Sequence, residues 1–469
     1  MVTGSCYLLT GDTGEQILVD LGMFQEREDL SKLNYEPFLF DSAKIAGVLV
    51  THAHLDHTGR LPMLVKSGYK GKIYMTKATR MLTALVLADA AKVAVENSGK
   101  IFHAEISPTP FNKGGDERMG FFSKVGKKDF GSEGILYTEE DVDKLLEQIE
   151  VVEYDQVFSI GGFTVVFRDA GHILGSGSIE VSDAACKKIV FSGDLGNTPE
   201  DMIRPTEQVK KAEYVVMEST YGDRLHKEED PSVVLQEEIN EVEKNGGVLL
   251  IPSFSIERAQ ELLHRINHLK NEKKIDEGTK VFLDSPMAIR ATEIFRRSSE
   301  LYNSELTKEL KTDDPFGFPG LAMTASAEES RGILLSSAPK VIISGSGMMH
   351  GGRVLHHAIN YLADTKTRLL LVGYQAPGTL GRRLLDGEKK VMIYNQEIVV
   401  AANVREVETM SCHADQKKLL HWLGQIKDVQ LVFLTHGEDE ARRALGEKIK
   451  EEIGLKDVVL PILNEIVEF

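Results

Sequence analysis

The chain has 469 residues, 42% of them hydrophobic and 27% charged, with a formal net charge of −17 and three cysteines. That length supports two or three domains with cores large enough to need no covalent staples. Three cysteines are too few for a disulfide framework, no Cys-x-x-Cys pair suggests a structural zinc, and reduced thiols in a cytoplasmic protein are the expectation. The acidic balance argues against a basic surface that grips duplex nucleic acid, although bound cations or a locally basic cleft would reverse the sign where a substrate sits. No basic-then-apolar leader opens the sequence, and no segment approaches the roughly 20 apolar residues that span a bilayer, so neither export nor a membrane is expected.

In chain order, Gln16–Asp20, Ala46–Thr51 and Lys72–Met75 read as buried strands. Lys77–Glu96 has apolar residues at helical spacing, among them Met81, Leu82, Leu85 and Val86, and predicts a long amphipathic helix. Gly99–Gly134 has weak periodicity. It interleaves Lys113, Arg118, Lys124, Lys127 and Lys128 with Phe111, Phe121, Phe122 and Phe130. Two readings stand for it: a flexible guide along a single strand, or a small surface subdomain. Strands resume at Gly162–Arg168 and Lys187–Phe191. From about Ala212 the pattern becomes strand–helix alternation, with strands at Tyr214–Met217, Gly247–Ile251, Lys280–Leu283, Val341–Ser344 and Arg368–Val372 and a helix at Ile256–Lys270. The C-terminal part predicts a strand at Glu397–Ala402, a helix at Asp415–Leu423, a strand at Gln430–Leu434 and a helix at Asp439–Glu451.

The chemistry is concentrated after the strand that ends near Val50. His52-x-His54-x-Asp56-His57 crowds three imidazoles and a carboxylate into six residues. Alternation puts His52 and His54 on one side, able to grip one cation, while Asp56 and His57 fall in the turn and reach a second. Imidazole and carboxylate donors suit Zn²⁺, with Mn²⁺ or Fe²⁺ as alternatives. Three further segments follow apolar strands: Ala170-Gly-His172, Phe191-Ser-Gly-Asp194 and Leu434-Thr-His436-Gly. Each alone reads equally as a turn residue; together with the first cluster they read as distal ligands, with Asp194 able to bridge two ions. Asp20 ends its own strand and is the expected outer partner of a ligand histidine. His226, His264, His268, His350, His356, His357 and His421 are expected in the core or on the surface, none of them as a metal ligand.

Asp20, His52-x-His54-x-Asp56-His57, His172 and Asp194 resemble, in order, the metal motifs of the metallo-β-lactamase superfamily. Met217–Gly222, Ile251–Phe254, Asp284–Met287, Ser346–Met349 with Gly351-Gly-Arg353, Gly373-Tyr-Gln with Gly378–Gly381, Ser411–Asp415 and Thr435–Glu438 resemble its β-CASP branch, which contains RNA-cleaving enzymes. The resemblance covers nearly the whole chain. It implies one Zn²⁺ on His52, His54, His172 and Asp194, and another on Asp56, His57, Asp194 and His436. It also implies a catalytic pair, with His413 as acid for the leaving oxygen and Glu218 raising its pKa.

The implied fold is an α/β one: a metallo-β-lactamase αββα sandwich, built from residues 1–205 and 380–469, with a β-CASP α/β domain inserted at 206–379. The implied reaction is hydrolysis of RNA phosphodiester bonds, since two close divalent cations generate hydroxide and stabilise phosphoryl charge. For substrate contacts, Ser346 and Gly347 lie in a glycine-rich turn whose N–H groups suit phosphate, and Arg353 adds a fork of donors. Arg383 reads as a phosphate contact or as a solvated surface charge. Ser253 and Ser285 read as ligand contacts at strand ends or as helix caps. The expected partner is single-stranded RNA; a homodimer is left open. Two rivals remain: a metallo-hydrolase of small esters or thioesters, which would not need an inserted domain, and an inactive RNA-binding subunit, which would lack ligands.

Overall fold

The computed structural model describes residues 2–25, 28–105, 134–197, 202–376 and 378–469. Residues 106–133, the greater part of the basic and aromatic Gly99–Gly134 stretch, lie outside them. The first sheet runs β1 (Tyr7–Thr10), β2 (Gln16–Val19), β3 (Ile45–Leu49), β4 (Lys72–Met75) and β5 (Ile149–Val151) in that spatial order. A second sheet takes β6 (Phe158–Ile160), β7 (Phe163–Asp169), β8 (Gly177–Ser182), β9 (Lys188–Phe191) and β10 (Tyr214–Met217). The chain then builds a third sheet from β11 (Val248–Pro252), β12 (Lys280–Asp284), β13 (Leu321–Met323), β14 (Lys340–Ser344) and β15 (Arg368–Leu371). A hairpin of β16 (Lys390–Ile393) and β17 (Gln396–Val399) follows, and β18 (Asn403–Glu406) rejoins the third sheet beside β15. Finally β19 (Leu431–Leu434) and β20 (Val458–Val459) complete the second sheet as β20-β19-β10-β9-β8-β7-β6.

The period-2 alternation of apolar residues explains the layers. Ile17 and Val19 of β2 and Leu49 of β3 pack against Phe191, Val216 and Phe433 of the second sheet, so the two sheets meet face to face. The intervening Leu18, Val48 and Val50 turn outward beneath helical cover that includes Leu61, Leu64 and Leu87. On the far side, Val215, Met217, Val432 and Leu434 meet Leu419, Leu423 and Leu445 of the helices Gln416–Gly424 and Asp439–Lys448. The result is an αββα sandwich. In the third sheet both sets are buried: Leu249, Ile251, Val341 and Ile343 on one face, Val248, Leu250 and Ile342 on the other. This double burial is why those strands read as continuous apolar runs. The first of these faces also takes up Ala53, Leu82, Leu85, Ile173 and Leu174, which joins the third sheet's domain to the sandwich.

Tyr214–Met217, read as the first strand of the alternating region, pairs in parallel with β9 and β19 of the second sheet. The predicted strand Glu397–Ala402 overlaps β17 of the hairpin, and a further strand, Asn403–Glu406, pairs with β15. An apolar run specifies burial on both faces but not which sheet supplies the neighbours. The helix Lys77–Glu105 extends past the predicted Glu96. Among the described residues no helix is long and apolar enough to cross a membrane.

Candidate metal centre

Register brings the ligands to one edge. Val19 pairs with Leu49 in one sheet, and Phe191, Val216 and Phe433 align in the other. The residues that follow these strands, Asp20, His52, Asp194, Glu218 and His436, therefore emerge together, and all are buried. His172 joins them from the turn between β7 and β8. Gly171 (φ +61°) and Gly193 (φ +58°) precede His172 and Asp194 in left-handed conformations. A Cβ would lie 2.5 Å from the Thr206 nitrogen at the first and 2.9 Å from Thr51 Cβ at the second, so both need glycine.

Asp194 divides the cluster in two. Its Oδ2 faces His52 Nε2 at 3.3 Å and His172 Nε2 at 3.6 Å, and His54 Nδ1 lies 3.0 and 3.3 Å from those two nitrogens. Its Oδ1 faces His57 Nε2 at 3.4 Å and His436 Nδ1 at 3.5 Å, with Asp56 Oδ2 3.2 Å from His436 Nε2. Both Asp194 oxygens are buried and make no hydrogen bond. Ligands about 2.1 Å from one tetrahedral ion lie about 3.4 Å from one another, so these spacings fit coordination of two cations with the carboxylate between them. Burial holds His52 and His54 at about 3 and about 4 and pushes His172 well down, leaving neutral imidazoles suited to coordination. At His57 burial acts downward, but the Asp194 and Asp20 carboxylates outweigh it and raise the pKa.

The rear nitrogen of several rings is held. Asp20, at φ +57°, accepts from His57 Nδ1 (2.8 Å) and from the Thr51 amide and hydroxyl (2.8 Å each). Thr51 Oγ1 is 3.0 Å from His52 Nδ1, and the Cys412 carbonyl is 3.3 Å from His172 Nδ1. Thr51 and Cys412 escaped the sequence reading; adjacency to His52 and His413 was the available signal. Asp20 thus holds the His57 ring and Thr51 together. Asp20→Asn places an amide donor against His57 and is expected to weaken the second cation by about 10–100-fold, read by equilibrium dialysis against a metal buffer. Unchanged affinity would remove Asp20 from this role.

His413 stands beside the cluster, its ring centroid 4.5 Å from that of His172 and 6.0 Å from that of His436. A short backbone ladder fixes it: Ala414 N–H donates to Leu195 O (2.8 Å) and Asn197 N–H to Cys412 O (3.0 Å). Nδ1 meets both oxygens of buried Glu218 at 3.3 Å. Burial opposes charge on this ring, but the Glu218 carboxylate prevails and its pKa rises to about 9. Glu218 also accepts from the Leu195 amide and so holds the segment after Asp194.

Two buried carboxyls brace the His172 turn, neither anticipated. Asp169 accepts from the Gly171 amide (3.0 Å), and Glu257, at φ +65° in the inserted domain, accepts from the Leu174 amide (3.1 Å). Burial raises them to about 7 and about 8. The folded chain then keeps protons that the unfolded chain releases above the ordinary carboxyl range, so this stability is lost as pH rises from about 4.5 through 8. Denaturant midpoints should fall across that window. Glu257→Gln should flatten the slope, and a slope identical to wild type would refute this account.

The residues expected to touch substrate gather elsewhere. Parallel register aligns Pro252, Asp284 and Ser344, so Ser253, Ser285, Ser346 and Gly347 follow three neighbouring strand ends. Ser285 Oγ accepts from the Ala288 amide (3.2 Å) as a helix cap, Ser253 Oγ donates to the Phe254 carbonyl (3.0 Å), and Ser346 Oγ accepts from the His350 amide (3.1 Å). The Gly347 carbonyl accepts from Gln375 Nε2 (3.2 Å). The neighbouring Tyr374 ring lies 6.3 Å from Tyr221, itself 6.2 Å from His413. The two arginines are engaged within the protein. Arg353 donates to Asp284 Oδ1 (2.7 Å) and to the Thr324 and Ala325 carbonyls (2.8 and 2.7 Å). Arg383 makes a two-pronged pair with Glu388 (2.7 and 2.6 Å). Their forks are engaged within the protein because carboxylates distant from Arg353 and five residues from Arg383 fold onto them.

Two sheets packed face to face, with imidazole and carboxylate clusters joined by one aspartate at the strand ends, define a divalent-metal hydrolase fold. Family models bear on the same regions: the metallo-beta-lactamase superfamily at residues 2–213, the Beta-Casp domain at 259–384 and the Zn-dependent metallo-hydrolase RNA specificity domain at 397–461. The chain belongs to the β-CASP branch of the metallo-β-lactamase superfamily. It is 35% identical to Ribonuclease TTHA0252 of Thermus thermophilus, over 95% of this chain and 93% of that protein. It is 29% identical to the transcription termination factor FttA of Methanosarcina mazei, over 98% of this chain and 69% of the relative. It is also 29% identical to an RNase J-like protein of Methanocaldococcus jannaschii, over 90% of this chain and 87% of that protein.

Proposed function

We propose that the protein is a zinc-dependent ribonuclease that hydrolyses phosphodiester bonds of single-stranded RNA. The observation that carries this reading is Asp194, whose two buried oxygens lack hydrogen bonds and face separate sets of ligand nitrogens. His52, His54, His172 and Asp194 would hold one Zn²⁺, and Asp56, His57, Asp194 and His436 the other. Bound there, a cation pair supplies an activated water and charge stabilisation for an in-line phosphoryl centre. His413 then donates a proton from Nε2 to the leaving oxygen while Glu218 holds the ring through Nδ1. The names of the relatives, two of them ribonucleases, support the choice of RNA. So does a cleft of about 850 Å³ beside the Ser411–Asp415 segment. There Lys227, Arg258, Arg265, Lys417 and Lys418 outnumber Glu228, Glu261 and Asp415, a locally basic lining on an acidic molecule.

The test is incubation with end-labelled RNA bearing a 5′-monophosphate, triphosphate or hydroxyl, beside a chromogenic ester. RNA products that vanish with chelator and return with Zn²⁺ or Mn²⁺ are expected. Turnover of the ester with intact RNA would replace this proposal with the small-ester hydrolase.

A further inference from the structure

A second group of ligand-type side chains lies in the inserted domain, on different secondary structure from the centre around Asp194. The helix Arg258–Asn271 carries His264 and His268 one turn apart, on one face. Glu309 closes the helix Ser304–Glu309 and reaches between them. His264 Nε2 and His268 Nε2 each lie 2.9 Å from the same oxygen, Glu309 Oε2. The two rings meet edge to face with centroids 4.4 Å apart, and one ligand atom from each of the three residues lies within 4.8 Å of the others.

Two imidazole nitrogens converge on a single carboxylate oxygen, an arrangement that two neutral Nε2–H donors or one shared cation can satisfy. Burial pushes the His264 pKa below its ordinary value, which favours the neutral ring that coordinates metal. A divalent ion between the three groups would replace both contacts with coordination bonds. The His268 side chain is 46% exposed, so water has access to complete the shell. The surroundings are already ordered. Asn267 and Asn271 on the same helix donate to Asp313 Oδ2 (3.0 and 3.1 Å), and Thr312 Oγ1 donates to the Glu309 carbonyl (3.1 Å).

We propose that His264, His268 and Glu309 form a further divalent transition-metal site, suited to Zn²⁺ by its two imidazoles and one carboxylate. It would pin the helix Ser304–Glu309 to the helix Arg258–Asn271. The proposal departs from the expectation from sequence that neither histidine is a ligand. The helical spacing was visible, but the third donor lies 41 and 45 residues away.

The test uses the full chain, dialysed against a weak chelator after loading with Zn²⁺ and assayed for ions per chain by mass spectrometry. His268→Ala and Glu309→Gln should each hold one ion fewer than wild type while cleaving RNA at the wild-type rate. His268 is half-exposed, so its removal spares the fold. Asp194→Asn separates the two sites: it should retain this ion, and Asp194→Asn with His268→Ala should retain none. Equal zinc content in wild type, His268→Ala and Glu309→Gln, or equal zinc content in Asp194→Asn and in Asp194→Asn with His268→Ala, would overturn the proposal and leave the reading of the Asp194 centre untouched.

Discussion

His413→Ala is expected to slow RNA cleavage by about 10²–10⁴-fold, the usual contribution of a positioned general acid, with metal content and RNA affinity near wild type. The expectation rests on what His413 touches. Its Nδ1 faces Glu218 rather than Asp194, and its ring lies tilted beside that of His172 without standing among the ligand atoms of either cluster. Removing it leaves Asp194 and its six partners in place. Glu218→Gln should share the defect in rate, because an amide no longer favours the charged ring. RNA with a chemically better leaving group at the scissile bond should rescue both variants, since protonation is then less needed. Loss of an ion in His413→Ala would make this histidine a ligand, and wild-type rates would deny it any part in proton transfer.

Asp194→Asn should empty both cation positions and lower cleavage by about 10³-fold or more, the loss of several kcal/mol of transition-state stabilisation. Among the described residues no other faces both clusters through separate oxygens. An asparagine keeps the shape but offers one neutral oxygen and a donor. That donor would point at nitrogens already presenting lone pairs to an ion. By contrast, His436→Ala should empty mainly the position shared with Asp56 and His57, because His52, His54 and His172 lie on the other oxygen. Elemental analysis of the two variants checks this directly. Equal losses in both would mean that the two positions fill only together, and full occupancy in Asp194→Asn would remove the aspartate from the centre.

Much of this centre was legible from residue order alone. His52, His54, Asp56 and His57 share one turn, and local spacing decides which donors stand side by side there. Asp20, Asp194 and His436 were legible because each follows an apolar run, and parallel strands deliver the residues after them to a common edge. The αββα layers were legible for a similar reason, since alternation along β2, β3, β10 and β19 assigns successive side chains to opposite faces.

What sequence could not decide was partnership across long separations. Tyr214–Met217 is equally apolar whether it lies in the second sheet or the third, and only pairing with β9 and β19 chose. Arg353 has the composition of a phosphate clamp, but its donors go to Asp284 and two carbonyls that come near only after folding. The two-sided role of Asp194, the bracing of the His172 turn by Glu257 and the meeting of His264 and His268 with Glu309 are likewise tertiary facts. Local order determines which groups a turn or strand end can present. Which opposite charge or second ligand meets them depends on chain crossings whose energy is shared among many buried contacts, and no short motif encodes it.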